Sequence, residues 1–170
     1  MTRADLDAGQ RAILRLATAA DALEIADVFL AARRDALPYL PALHTDGETR
    51  RWIADVVLRG SVVWVAELDA AIVGFLSVAG DHLDHLYVRP GYHRVGIGNR
   101  LLAKAKEHSP HRLQLFTFQR NGRARAFYEA RGFVAVDFND GSRNEEGEPD
   151  VLYEWLGRAE ARGPAGRGNT

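Results

Sequence analysis

The chain has 170 residues, 46% of them hydrophobic and 26% charged, with 16 Gly, 6 Pro and no Cys. That length and composition suit one globular domain that folds without disulfide or metal staples, and they exclude collagen-like, coiled-coil and wholly disordered chains. Lys+Arg 22 against Asp+Glu 23 gives a formal charge of −1, which offers no general attraction to nucleic acid or an anionic membrane, and the lack of Cys removes thiol nucleophiles and thiolate metal sites.

In chain order, Met1 to Gln10 is small and polar and lacks the apolar centre of a signal peptide. It reads as a flexible N-terminus, residues 1–10. No later stretch approaches the roughly 18 apolar residues of a membrane span, so a soluble, cytoplasmic protein with no membrane partner is expected. Ile13 to Ala17 reads as a strand. Thr18 with Asp21 caps a helix whose apolar face is Leu23, Ile25, Ala26, Val28 and Phe29. Pro38 and Pro41 exclude a regular helix over Leu37 to Leu43. Thr45 and Glu48 form a second capping box, opening a helix with Trp52, Ile53, Val56 and Val57 on its buried face and Gly60 at its end. Ser61 to Leu68 and Ala71 to Ala79 are β-rich and joined only by Asp69-Ala70, a hairpin. Leu83 to Val88 is the next strand, and Gly98 to His108 a helix burying Leu101, Leu102 and Ala105. Arg112 to Phe118 alternates as a strand does. Arg123 to Arg131 is a helix, Gly132 its left-handed cap, and Phe133 to Phe138 and Val151 to Leu156 the last strands. The acidic stretch Asp140 to Asp150 between them reads as a solvated loop, and residues 157–170 as a disordered tail. The element order βααβββαβαββ describes a mixed α/β domain with one central sheet.

The chemistry concentrates in Leu86 to Leu102, where a strand runs into Gly96-Ile97-Gly98 and then directly into an amphipathic helix. Glycines let the backbone approach a ligand, the first helical N–H groups are unpaired, and the helix dipole adds partial positive charge. A pyrophosphate is the natural occupant, with Arg94 and Arg100 near at hand. No Gly-Lys-Ser/Thr follows, so this is not a Walker loop. Leu101 stands where a dinucleotide fingerprint needs its third glycine, and the loop comes after a β-meander rather than a first strand.

The run His93-Arg94-Val95-Gly96-Ile97-Gly98, after a strand ending in Val88-Arg89-Pro90, resembles the acyl-CoA-binding motif Gln/Arg-x-x-Gly-x-Gly/Ala of the GNAT superfamily of N-acetyltransferases. A second motif agrees: Asn121, Ala124, Ala126, Phe127-Tyr128-Glu129 and Gly132-Phe133. The resemblance extends from about Ile13 to Trp155, within a domain of residues 11–156. His93 departs from the Gln or Arg of the motif. The resemblance implies an α/β (α+β) GNAT fold, with a central, mixed, mostly antiparallel, splayed β-sheet flanked by helices. It implies acetyl-CoA as co-substrate, its pantetheine arm pairing with Leu86, Tyr87 and Val88 as an added strand. Its pyrophosphate would lie on the backbone of Arg94, Val95, Gly96, Ile97, Gly98 and Asn99, supported by His93, and Asn121 and Phe127 would border the arm. A homodimer follows from the same resemblance.

Acetyl transfer to an amine needs a base for the amine proton, a donor for the oxyanion and an acid for the departing thiolate. Tyr128 matches the tyrosine that serves the family as general acid, and a backbone N–H near Val88 its oxyanion donor. His82 or Asp84 is the candidate base, directly or through water. Plain alternation sends His82 and Asp84 to one face and Leu83 with His85 to the other, and a bulge in this strand, common in the family, would change that. Opposite faces for Asp84 and His85 also argue against a shared metal ion, and no metal is expected. His44, Trp52 and His85 are candidates to line the acceptor cleft. Trp64, Trp52 and Trp155 otherwise read as core or interface residues, and Arg33-Arg34 and Arg50-Arg51 as surface side chains. With no Cys to carry an acyl group, transfer is direct, in a ternary complex. The expected acceptor is a small-molecule primary amine, with a protein N-terminus or lysine, or a non-catalytic acyl-CoA-binding module, as the alternatives.

Overall fold

The computed structural model describes residues 7 and 9–157, so the expectations for residues 1–6, 8 and 158–170 lie outside the described residues. Seven strands form one sheet: β1 (Ile13–Leu16), β2 (Val62–Leu68), β3 (Ala71–Ala79), β4 (His82–Val88), β5 (Arg112–Phe118), β6 (Val134–Asn139) and β7 (Asp150–Leu156). The helices are α1 (Ala22–Ala36), α2 (Asp46–Trp52), α3 (Ile97–His108) and α4 (Gly122–Glu129). Strand order is β1-β2-β3-β4-β5-β7-β6. Only β4 and β5 run parallel, giving the mixed, mostly antiparallel sheet expected.

Local chemistry accounts for the elements. Asp69 and Ala70 both take positive φ, 50° and 63°, the backbone of the tight turn whose twist matches a two-residue hairpin. At the start of α2, Glu48 N–H donates to Thr45 Oγ1 and Thr45 N–H to the Glu48 carboxylate, at 3.2 and 2.7 Å. The helix then widens into a π-helical stretch, Ile53–Val57, before a closing turn, Leu58–Gly60. This corrects one of two expected apolar-face positions, the other being Leu23 of α1, which is 63% exposed. The wider turn keeps Ile53 and Val57 buried and rotates Val56 outward, to 56% exposure.

The sheet buries both faces over most of its width. On one face α1 and the π-helical stretch bring Ile25, Val28, Phe29 and Ile53 against Val63, Val65, Ile72 and Phe75. On the other, Leu101, Leu102 and Ala105 of α3 and Tyr128 of α4 pack on Leu76, Val78, Leu83, Leu113, Leu115 and Tyr153. Truncating a fully buried leucine such as Leu101 or Leu113 to Ala would cost about 2–5 kcal/mol. The two layers leave one seam. β4 and β5 pair in register only at His82↔Gln114, with Gln114 N–H donating to Asp81 C=O at 2.8 Å. Beyond that point the strands part, and a gap opens between them.

Candidate active site at the strand splay

The gap frees the edge of β4 from His85 to Val88, a row of backbone donors and acceptors with no strand beside it. Leu86 and Val88 turn toward the α3 side and Tyr87 toward the α1 side. Past the end of β4 the chain enters the glycine loop. Gly96 caps α3 with φ +92° and Arg94 also takes positive φ, so the N-terminus of α3 is reached through two left-handed residues. Gly98 has a different reason to lack a side chain. A Cβ there would stand 3.4 Å from the Phe127 ring and 3.9 Å from Val88, so a methyl would just fit where α3, α4 and β4 converge, and a larger side chain would push them apart.

Three residues of this loop have partners that sequence alone does not disclose. The Arg123 guanidinium donates to His93 Nε2 at 3.0 Å. A guanidinium cannot accept, so that ring nitrogen is unprotonated, and burial with the neighbouring Arg123 charge lowers the His93 pKa accordingly. Arg123 also lies 3.8 Å from Asp35 at the end of α1. Asn99 Oδ1 accepts from Arg131 Nε. Arg100 turns away from the loop: its guanidinium donates to the carbonyls of Gly9 and Ala12 at 2.6 and 2.7 Å. Asn121 caps α4, its Oδ1 accepting from Ala124 N–H at 3.1 Å, which leaves its amide NH2 for another partner.

Tyr128 is 8% exposed and held edge-on between Phe127 and Phe133, ring centroids 5.2 and 5.4 Å away. Burial, and then the nearby Tyr87 phenol, push its pKa above the ordinary tyrosine value. The hydroxyl therefore stays protonated and acts as an O–H donor.

On the α1 side the structure corrects the expected strand alternation. β4 pairs with β3 as Ser77↔His85 and Val78↔Leu83, which makes Asp84 the extra residue of a β-bulge. Leu83 enters the α3-side core, whereas His85 meets Phe29, Trp52 and Phe75 on the α1 side. His82 contacts the Phe116 ring at 5.7 Å, and its Nε2 lies 3.8 Å from Asp84. The bulge thus gathers His82, Asp84 and His85 on one face. Opposite faces no longer argue against a shared ion, and no group of three His, Asp or Glu suited to a metal occurs among the described residues. Burial raises the Asp84 pKa, opposed by His82 and by a hydrogen bond with Ser61. Burial lowers that of His85 to about 4, assisted by the charges of Arg33 and His82.

Of the three acceptor-cleft candidates, Trp52 and His85 meet in an edge-to-face contact of 5.2 Å. His44 stands apart at the rim, Nε2 3.0 Å from Glu145. The acidic loop is not simply solvated, and Arg33 is not a free surface arginine. Arg33 Nη2 donates to Glu146 Oε1 at 2.8 Å, with side-chain exposures of 25% and 11%. Arg120 lies over the Tyr39 ring at 4.0 Å and 3.5 Å from Glu148. Arg33, Tyr39 and Glu146 escaped the sequence reading. The one available signal was helical spacing, since Arg33 follows Phe29 by four residues and so borders the buried face of α1.

Comparison with known proteins agrees with this geometry. The model of the GNAT acetyltransferase domain matches residues 59–135. The peptidyl-lysine N-acetyltransferase YiaC of Escherichia coli is 37% identical over 86 residues, half of this chain and 58% of its own. The chain therefore spans less than two thirds of the length of that relative. The fold is shared with apo YjaB of Escherichia coli (TM-score 0.72, 21% identity, 86% of this chain and 99% of that one). It is shared too with the PaiA N-acetyltransferase of Thermoplasma acidophilum in complex with coenzyme A (TM-score 0.66, 20% identity, 85% and 98%). A splayed sheet, a glycine-capped helix at its mouth and a domain match across that very segment agree: residues 59–135 are similar to the GNAT acetyltransferase domain, and the chain shares the fold of solved acetyltransferases.

Proposed function

We propose that the protein moves an acetyl group from acetyl-CoA to the primary amine of a small molecule, by direct transfer in a ternary complex. The observation that carries this reading is the single β4–β5 register pair, with the glycine-capped helix α3 and Tyr128 packed on the same face of the sheet. Backbone groups of Leu86, Tyr87 and Val88 would pair with the pantetheine arm. Those of Arg94, Val95, Gly96, Ile97, Gly98 and Asn99 would hold the pyrophosphate at the N-terminus of α3, with His93 bracing the loop. Asn121 and Phe127 would border the arm. The amine attacks the thioester carbonyl and gives up a proton to Asp84 or His82, directly or through water. The oxyanion rests on the backbone N–H near Val88, and the departing thiolate takes its proton from Tyr128. The raised pKa of Asp84 suits a carboxylate to accept that proton. A small acceptor is favoured by the crossing of the acceptor face, where Glu146 and Glu145 of the loop meet Arg33 and His44.

A peptide lysine is the second reading, favoured by the name of the YiaC relative. Cytoplasmic location and a homodimer belong to the same proposal. Phe116, Val134, Val136 and Leu156, exposed on β5 to β7, offer apolar surface for a second copy. The test is calorimetric titration with acetyl-CoA, with NAD and ATP as controls, followed by thiol release across a panel of small amines and lysine peptides. Saturable binding of acetyl-CoA alone, with turnover on small amines, supports the reading. Turnover only on peptides replaces it with the second, and binding with no turnover on any acceptor reduces the protein to an acyl-CoA-binding module.

A further inference from the structure

We infer that Arg33 is a positioning residue for the acceptor site: it clamps the loop between β6 and β7 over that site through Glu146 while its guanidinium lies on the Phe29 ring of the cleft lining. The inference rests on the acetyltransferase reading and adds to it the residue that shapes acceptor binding. The Arg33–Glu146 contact joins α1 to the loop across 113 positions of sequence. It is the innermost of three such ties. His44 to Glu145 is open to solvent on both sides, and Arg120 to Glu148 is longer, at 3.5 Å. Arg33 also lies over the Phe29 ring at 5.3 Å, and Phe29 touches Trp52, His85 and Tyr87 at 5.5, 5.8 and 5.2 Å. One guanidinium therefore connects the loop with the aromatic lining of the cleft.

The planar fork of arginine is what permits this. It offers several donors at fixed angles and a flat face, so one side chain serves a carboxylate and an aromatic ring together, which a lysine ammonium on its flexible stem does less well. Because Glu146 neutralises it, Arg33 adds no net repulsion toward a cationic amine. Removing either partner leaves the other charge half-buried and alone, which favours swinging the loop away. Acetyl-CoA binds along the gap and on the α3 loop, so the clamp bears on the acceptor and not on the acetyl donor.

The test uses the full chain as wild type, Arg33→Met, Arg33→Lys, Glu146→Gln and the exchanged pair Arg33→Glu/Glu146→Arg. Three quantities are read: acetyl-CoA affinity by calorimetry, the rate of tryptic cleavage after the exposed Arg143 of the loop, and thiol release with benzylamine as the probe amine. Arg33→Met and Glu146→Gln should leave acetyl-CoA affinity within about twofold, raise cleavage after Arg143 about tenfold, and raise the benzylamine KM about tenfold with a smaller change in kcat. Arg33→Lys should fall between, and the exchanged pair should restore slow cleavage. Wild-type cleavage and KM in Arg33→Met and Glu146→Gln would overturn the inference, as would an equal loss in acetyl-CoA affinity, which marks general damage to the fold. A wild-type protein that does not bind acetyl-CoA overturns the parent reading instead.

Discussion

Trp52 stands edge-on to His85, ring centroids 5.2 Å apart at 87°, and with Phe29 and Phe75 it encloses the imidazole in aromatic carbon. An imidazolium there would lose its hydration without gaining a carboxylate, so His85 is held neutral with a pKa of about 4. In the unfolded chain it titrates near 6.5. Between those values the unfolded state binds the extra proton, so stability should fall as the pH drops from about 6.5 to about 4, by about 2–3 kcal/mol in total. Urea unfolding at stepped pH checks this. The loss should vanish from that window in His85→Gln, and the His85 ring protons should show no titration above about pH 5.

The two glycines of the loop that opens α3 should respond differently to alanine. Gly96 has open space around a Cβ but φ +92°, a conformation that costs an L-residue about 1–2 kcal/mol. Gly96→Ala should therefore lower stability by about that amount and weaken acetyl-CoA binding by reorienting the first N–H groups of α3. Gly98 has ordinary backbone, and its Cβ would meet Phe127 at 3.4 Å. Gly98→Ala should be nearly silent in thermal unfolding, and Gly98→Val, which must displace that ring, should not.

What the sequence disclosed and what it withheld divide along a physical line. Helix caps, the Asp69-Ala70 hairpin, the order of elements and the glycine loop are local events, written in neighbouring residues such as Thr45 and Glu48. The bulge at Asp84 depends on how β3 lies beside β4, and no periodicity within His82 to Val88 announces it. Missing it sends His85 to the wrong face. The π-helical widening that exposes Val56 likewise depends on what α2 packs against. Arg33 and Glu146 are 113 positions apart, and each alone looks like an ordinary surface charge. The strand, glycine loop and helix of the candidate site were thus legible, while the pairing of Arg33 with Glu146 required the fold.

Tyr128 should separate binding from chemistry. Its ring packs between Phe127 and Phe133, and phenylalanine keeps that ring while deleting the proton donor. Tyr128→Phe should retain acetyl-CoA affinity and melting temperature and lose about 10²-fold in kcat, the usual scale of a general acid. Because burial holds the phenol protonated, the alkaline limb of the wild-type rate profile should not fall at the ordinary tyrosine pKa near 10.

The acid limit of stability should be set in part by Asp21. Its carboxylate takes both arms of the Arg15 guanidinium at 2.8 and 2.9 Å and the Thr18 N–H at 2.7 Å, and Arg15 reaches on to Glu67 at 2.8 Å. One fork therefore ties β1 to the start of α1 and to β2. The hydrogen bond from Arg15 leads in lowering the Asp21 pKa to about 2, from an ordinary value of 3.8. A folded-state pKa below the unfolded one stabilises the protein above the unfolded value, and that contribution drains away as the pH falls from about 4 to about 2. Asp21→Asn should cost about 1–2 kcal/mol at neutral pH and almost nothing near pH 2, where the wild-type carboxyl is itself becoming protonated. Paired denaturation curves at the two pH values decide it: an equal cost at both would mean that Asp21 acts through its cap to Thr18 alone, and that the Arg15 pairing adds nothing.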